Sequence, residues 1–337
     1  MFKTLIAFIK LIRLPNLFII AIAQYAMRFG VIYPMYLFIN KQLILNFPDK
    51  ITNPHILEFQ MSEWSFFLLV LSTVMIAAGG YIINDYFDVN IDRINKPGNM
   101  VIDKGIKRRA AMAAHMIMTT VAVIIAILVS YKLGLTRYGL IFVCSSIGLW
   151  FYNTEFKKQF LIGNVLIALF VGLVPFIVGL YELNLAANRY DVLAKAPFFV
   201  NFQKILSFIT GFSVLAFLIN LAREVIKDIE DMDGDEAYGC RTIPITLGLS
   251  AAKNFILFLL GVVIVMIGYI MKDQFSAGAT LSFWYLLLLL EVPLLVCGYF
   301  VFKAIDPSEY KTPDLISKVI MFTGIGYTLV IYFSFIQ

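Results

Sequence analysis

The stretch GGYIINDYFDVNIDRINKP, Gly79 to Pro97, decides the fold class and poses the chemical question. It begins apolar enough for a membrane interior, then sets Asn84, Asp85, Asp88 and Asp92 within nine residues. Asn84, Asp88 and Asp92 are spaced i, i+4, i+8, and Asp85 precedes Asp88 by three. A helix continuing through them therefore carries all four on one face. Like charges at that spacing repel, and a helix C-terminus also disfavours anions. Something cationic must offset them.

Outward from this stretch the whole chain is apolar. Of its 337 residues 61% are hydrophobic and 15% charged, with a mean hydropathy of +0.85, far above a soluble domain. The expectation is an all-α integral membrane protein forming a single domain, residues 1–337, because no polar linker divides the apolar runs. Nine stretches are long enough to span a bilayer: 14–38, 64–87, 110–131, 135–153, 161–181, 205–226, 252–271, 281–303 and 317–335. Arg28 and Pro34 interrupt the first. Residues before it read as an interfacial lead-in.

With nine crossings, 18 of the 27 Lys and Arg fall on the N-terminal side, which the positive-inside rule assigns to the cytoplasm, with the protein in the inner or plasma membrane. A net charge of +5 argues for no nucleic-acid partner, and no protein partner is indicated. Cys144, Cys240 and Cys297 are widely spaced and form no disulfide framework or thiolate metal site. Segments 40–63 and 182–204 read as extra material on the far side.

A second acidic group lies in REVIKDIEDMDGDEAYGCRTIP, where Asp228, Asp231 and Asp235 are spaced i, i+3, i+7 just past the sixth span. An even number of crossings separates the two groups, so both emerge on one side and can face each other. Carboxylates with an amide oxygen suit a hard divalent cation, Mg²⁺ above all. Arg93, Lys96, Arg223 and Lys227 are interleaved with them and can meet phosphate oxygens. For either cluster alone, a solvated acidic loop is the plainer alternative. A divalent-cation transporter is the rival class, but its acids belong near the midplane, and the interleaved bases would repel the ion.

These residues resemble the UbiA-type intramembrane prenyltransferases. The first signature, N-D-x-x-D-x-x-x-D, is met by Asn84, Asp85, Asp88 and Asp92, and the second, D-x-x-x-D, by Asp231 and Asp235, with Asp228 ahead of it. RLPN at Arg13 to Asn16 is similar to the family's R-P-x-N, whose asparagine lies near the reaction centre. FYNTEFKKQFLIGN resembles the segment that offers a tyrosine and a lysine to the diphosphate, here Tyr152 and Lys157. After Pro97 the chain departs from the family's usual arginine and proline.

The resemblance implies nine helices around a central cavity, with cap loops after helices 2 and 6. It also implies Mg²⁺ held by both motifs, with Asp88, Asp231 and Asn16 as the catalytic positions and an isoprenyl diphosphate as donor. The run KDIEDMDGDEAYGCRTIP is similar to the branch that transfers geranylgeranyl to geranylgeranylglyceryl phosphate. An aromatic acceptor, hydroxybenzoate or dihydroxynaphthoate, stays open beside this lipid one. KGIKRRAA, Lys104 to Ala111, offers an anion site for such a phosphate or serves only to fix topology.

Overall fold

The structure, a computed structural model, describes residues 2–49, 56–95, 98, 100–195 and 197–336. Lys96 and part of the far-side segment 40–63 lie outside the described residues. Among those described there is no strand, only an isolated bridge between Ile102 and Ile106. The rest is helix and short connection, as expected where backbone polar groups have no water to bond.

A short helix, α1 (Phe2–Leu11), precedes the first long one, α2 (Leu14–Asn46). Arg13 between them adopts the left-handed conformation, φ 51°, so the chain turns sharply there. Next come α3 (Glu63–Asn95), α4 (Arg108–Lys132), α5 (Thr136–Thr154), α6 (Ile162–Arg189) and α7 (Phe202–Glu230). Two short helices, α8 (Met232–Ala237) and α9 (Ile243–Leu247), lead into α10 (Leu249–Ser276), α11 (Thr280–Lys303) and α12 (Pro307–Phe335). Eight of these, all the long ones except α5, are long and apolar enough to cross a membrane.

Two differences from the sequence expectation have local causes. The first span does not break at Arg28 and Pro34; it runs on to Asn46 through one π turn, Met27–Ile32. That turn widens the helix just before Pro34, where a missing N–H and a bulky ring are tolerated. The second acidic group is not on one continuous helix. α7 stops at Glu230, Asp231 sits at the break with φ −96° and ψ 8°, and Asp235 lies on α8. The first group does lie on continuous helix, because α3 runs to Asn95. Its 33 residues reach about 50 Å, well beyond a hydrocarbon core of about 30 Å.

The two far-side segments pack on one another. Phe47 meets Phe198 edge to face at 5.0 Å, and Gln60 donates to the Tyr190 hydroxyl at 2.9 Å. Asn40 satisfies both backbone groups of Leu57, at 2.9 and 3.1 Å. On the opposite, motif-bearing face α1 joins a small separate core of Leu11, Ile82, Val89, Ile102, Ile106 and Ala111. Gly105 allows this: a Cβ there would stand 2.7 Å from that of Ala7.

Candidate active site

The end of α3 presents its acidic face to three other parts of the chain. Asp85 pairs with Arg13 at 2.9 Å, and the same guanidinium reaches Asn84 Oδ1 at 3.4 Å and lies 4.9 Å over the Tyr81 ring. Asp88, 6% exposed, is paired with Lys157 and accepts from Asn84 Nδ2 at 2.8 Å. Asn84 also donates to Asn153 Oδ1 at 3.2 Å. Arg13 and Lys157, one from each flank, are therefore cations that offset Asp85 and Asp88 in this crowded group.

Lys157 enters from the 3-10 turn Phe156–Lys158 after α5. Burial works against its charge, but Asp88, then Tyr152 and Asp235, more than compensate and raise its pKa above the ordinary lysine value. Arg13 behaves likewise, with burial opposed chiefly by Asp85. Both stay cationic. Lys157 thus contacts the first acidic group and lies in the field of the second. Tyr152 lies in the field of Lys157, Glu224, Asp88 and Asp228, and its ring would be 3.1 Å from a Cβ at Gly163.

The two groups are joined through the backbone. Asn95, three residues after Asp92, donates to the Asp231 carbonyl at 3.0 Å and accepts from the Gly234 N–H at 2.9 Å. A Cβ at Gly234 would collide with the Asn95 carboxamide. This clasp accounts for the break in α7: the chain must turn to present Gly234 to Asn95. Asp228, on α7, accepts from Asn164 Nδ2 at 2.7 Å. Gly234→Ala is expected to cost about 1–3 kcal/mol, the scale of an overpacked contact. A lower thermal midpoint in detergent checks this.

Other candidates are placed differently. Arg223 pairs with Asp314 of α12 at 2.9 Å and lies 3.7 Å from Glu224, so it ties two helices together. Lys227 is within 3.4 Å of Glu224. Arg93 and Asn16 are exposed, and among the described residues neither has a side-chain hydrogen bond or ion pair. Asn95, Asn153, Asn164 and Glu224 are contributors that sequence reasoning passed over.

Among the described residues no three His, Cys, Asp or Glu side chains converge tightly enough to cage a metal. The donor set nevertheless fits a hard cation, with six carboxylates and an amide oxygen and no nitrogen or sulfur ligand among them. The nearest thiol, Cys240, is buried, and burial first and Asp235 second push its pKa up to about 11. It is a protonated thiol at neutral pH, unsuited to ligation.

The sequence profile of the UbiA prenyltransferase family matches residues 56–325. The chain is 28% identical over 267 residues to the digeranylgeranylglyceryl phosphate synthase of Thermococcus gammatolerans, covering 78% of this chain and 84% of that one. In fold it is similar to an apo UbiA homolog from Aeropyrum pernix, with TM-score 0.60 and 15% identity over 93% of this chain and 96% of that one. It is also similar to a UbiA homolog from Archaeoglobus fulgidus bound to DMAPP and Mg²⁺, with TM-score 0.54 and 15% identity over 95% and 98%. The profile covers most of the sequence and both aspartate motifs, and the chain belongs to the UbiA prenyltransferase family.

Proposed function

We propose that this prenyltransferase moves a geranylgeranyl group from its diphosphate to geranylgeranylglyceryl phosphate, with Mg²⁺ as cofactor. The observation that carries the reading is Lys157, a half-buried cation paired with Asp88 and in the field of Asp235, beside the Asn95 clasp that joins the two acidic groups. The name of the Thermococcus relative supports the acceptor, and the DMAPP and Mg²⁺ of the Archaeoglobus homolog support the donor class and the metal.

Asn84, Asp85, Asp88 and Asp92 from α3 and Asp228, Asp231 and Asp235 from the α7–α8 break are the residues that would hold the metal. When bound, the ion neutralises charge developing on the departing pyrophosphate. Lys157 and Tyr152 meet the diphosphate oxygens, and Lys157 stabilises the same developing charge. Asn164 fixes the Asp228 carboxylate and Asn153 fixes the Asn84 amide, so that less reorganisation is needed when substrate arrives. Asn95 holds the two motifs in register.

We read α5 as a ninth crossing. Its 19 residues reach about 28 Å, close to a hydrocarbon thickness. Contact between Asn95 and the Asp231 backbone favours an even number of crossings between the motifs, which requires α5 to be one. The charge bias then puts the motif face and N-terminus in the cytoplasm.

The test is incubation of membranes containing the protein with radiolabelled geranylgeranyl diphosphate and separate glyceryl phosphate and aromatic acceptors. Label is expected in the prenylglyceryl phosphate product only, and only with Mg²⁺ present. Label in hydroxybenzoate or dihydroxynaphthoate instead would reassign the acceptor.

A further inference from the structure

On the motif face, apart from the carboxylates, α1 and the start of α4 flank an open apolar groove of about 460 Å³. This is within the range of ligand pockets. Leu5, Phe8 and Leu11 line it from α1, and Ile106, Ala110 and Ala114 from the opposite wall. Three basic residues, Lys3, Lys107 and Arg109, adjoin the lining residues Thr4, Ile106 and Ala110 in the chain. All three are exposed, and none is ion-paired among the described residues.

α1 also leaves Leu5, Ile6 and Ile9 exposed while carrying Lys3 and Lys10. An apolar and basic short helix of this kind lies in the plane of a membrane interface. The groove therefore opens where hydrocarbon meets headgroups. An apolar slot with a cationic rim complements one kind of molecule, an amphiphile with an anionic head.

We propose that this groove binds an anionic membrane lipid, one hydrocarbon chain in the slot and the headgroup phosphate on Lys107, Arg109 and Lys3. Basic pockets between membrane helices recognise such headgroups electrostatically. The lipid also bears on the reaction centre. α1 ends two residues before Arg13, whose guanidinium grips Asp85, so the molecule that seats α1 helps set that pair.

The full-length protein is reconstituted in nanodiscs of phosphatidylcholine with phosphatidylglycerol, and retained lipid is counted by native mass spectrometry. Phosphatidylglycerol is expected to be retained in preference to phosphatidylcholine and to raise the thermal midpoint, both effects weakening with salt. The double variant Lys107→Gln/Arg109→Gln is expected to lose roughly thirtyfold in phosphatidylglycerol affinity, as two surface charges imply. Ala110→Phe, at an exposed wall position, is expected to fill the slot and abolish the preference; Thr4→Phe does the same from α1 if that variant fails to fold. Equal retention of both lipids overturns the proposal, as does a preference that survives these changes. Displacement of phosphatidylglycerol by a prenylglyceryl phosphate also overturns it, since the groove would then belong to the acceptor. Lipid counting is independent of catalysis, so its outcome is distinct from that of the acceptor assay.

Discussion

Asp88→Ala is expected to lower Mg²⁺-dependent prenyl transfer by roughly a thousandfold, the scale of losing a principal electrostatic group in a reaction centre. Asp88 accepts from Asn84 and pairs with Lys157, so its loss disturbs both the oxygen donors and the cation beside them. The removed carboxylate also leaves Lys157 partly buried without its nearest anion. The lysine is then free to drift toward Asp235, whose field it already feels. Asp231→Ala is expected to match this loss from the other side of the clasp, although Asn95 bonds only the Asp231 backbone, which the substitution retains. Initial rates with radiolabelled donor give the measurement, and thermal unfolding in detergent shows that each variant folds. Full activity in either, with the fold intact, would remove these carboxylates from the proposed metal site.

Much of this centre was legible because it is written in periodicity. Asn84, Asp85, Asp88 and Asp92 share a face on any helix, and α3 continues through them. Helix spacing misled at Asp231, where the register of Asp228 and Asp235 suggested one face but Gly234 must turn in to meet Asn95. Single asparagines carry no period, so Asn95, Asn153 and Asn164 gave no signal of their own, although the last two lie within FYNTEFKKQFLIGN. Arg223 beside Glu224 looked like a phosphate ligand, yet Asp314, some 90 residues later, claims it in the structure. Pairings across such separations are decided by packing, which no local pattern encodes.

The largest effect on stability is expected far from the motifs, at Arg28. Its guanidinium has no exposure, sits 4.3 Å from the rings of both Phe59 and Phe66, and donates to the Met61 carbonyl at 2.6 Å. Glu182, equally buried, feels the Arg28 charge and accepts from the Gln60 and Met61 amides at 2.5 and 3.4 Å. The two side chains thus hold residues 60 and 61 from either side and fasten the far-side segments over the bundle. Arg28→Ala empties a cage between two aromatic rings, frees Glu63 of its partner at 3.0 Å and removes the cation whose field reaches Glu182. A loss of about 2–5 kcal/mol follows from emptying a fully buried site, together with the lost bond to the Met61 carbonyl and the Glu63 ion pair. Glu182→Gln keeps one acceptor oxygen for the loop amides and is expected to cost less. The double variant Arg28→Ala/Glu182→Gln should be more stable than the sum of the single losses predicts, because the field linking the two buried side chains is then absent from both. Thermal midpoints of all four proteins in one detergent measure this coupling. Strict additivity would mean that Arg28 acts through its aromatic cage, Met61 and Glu63, and not through Glu182.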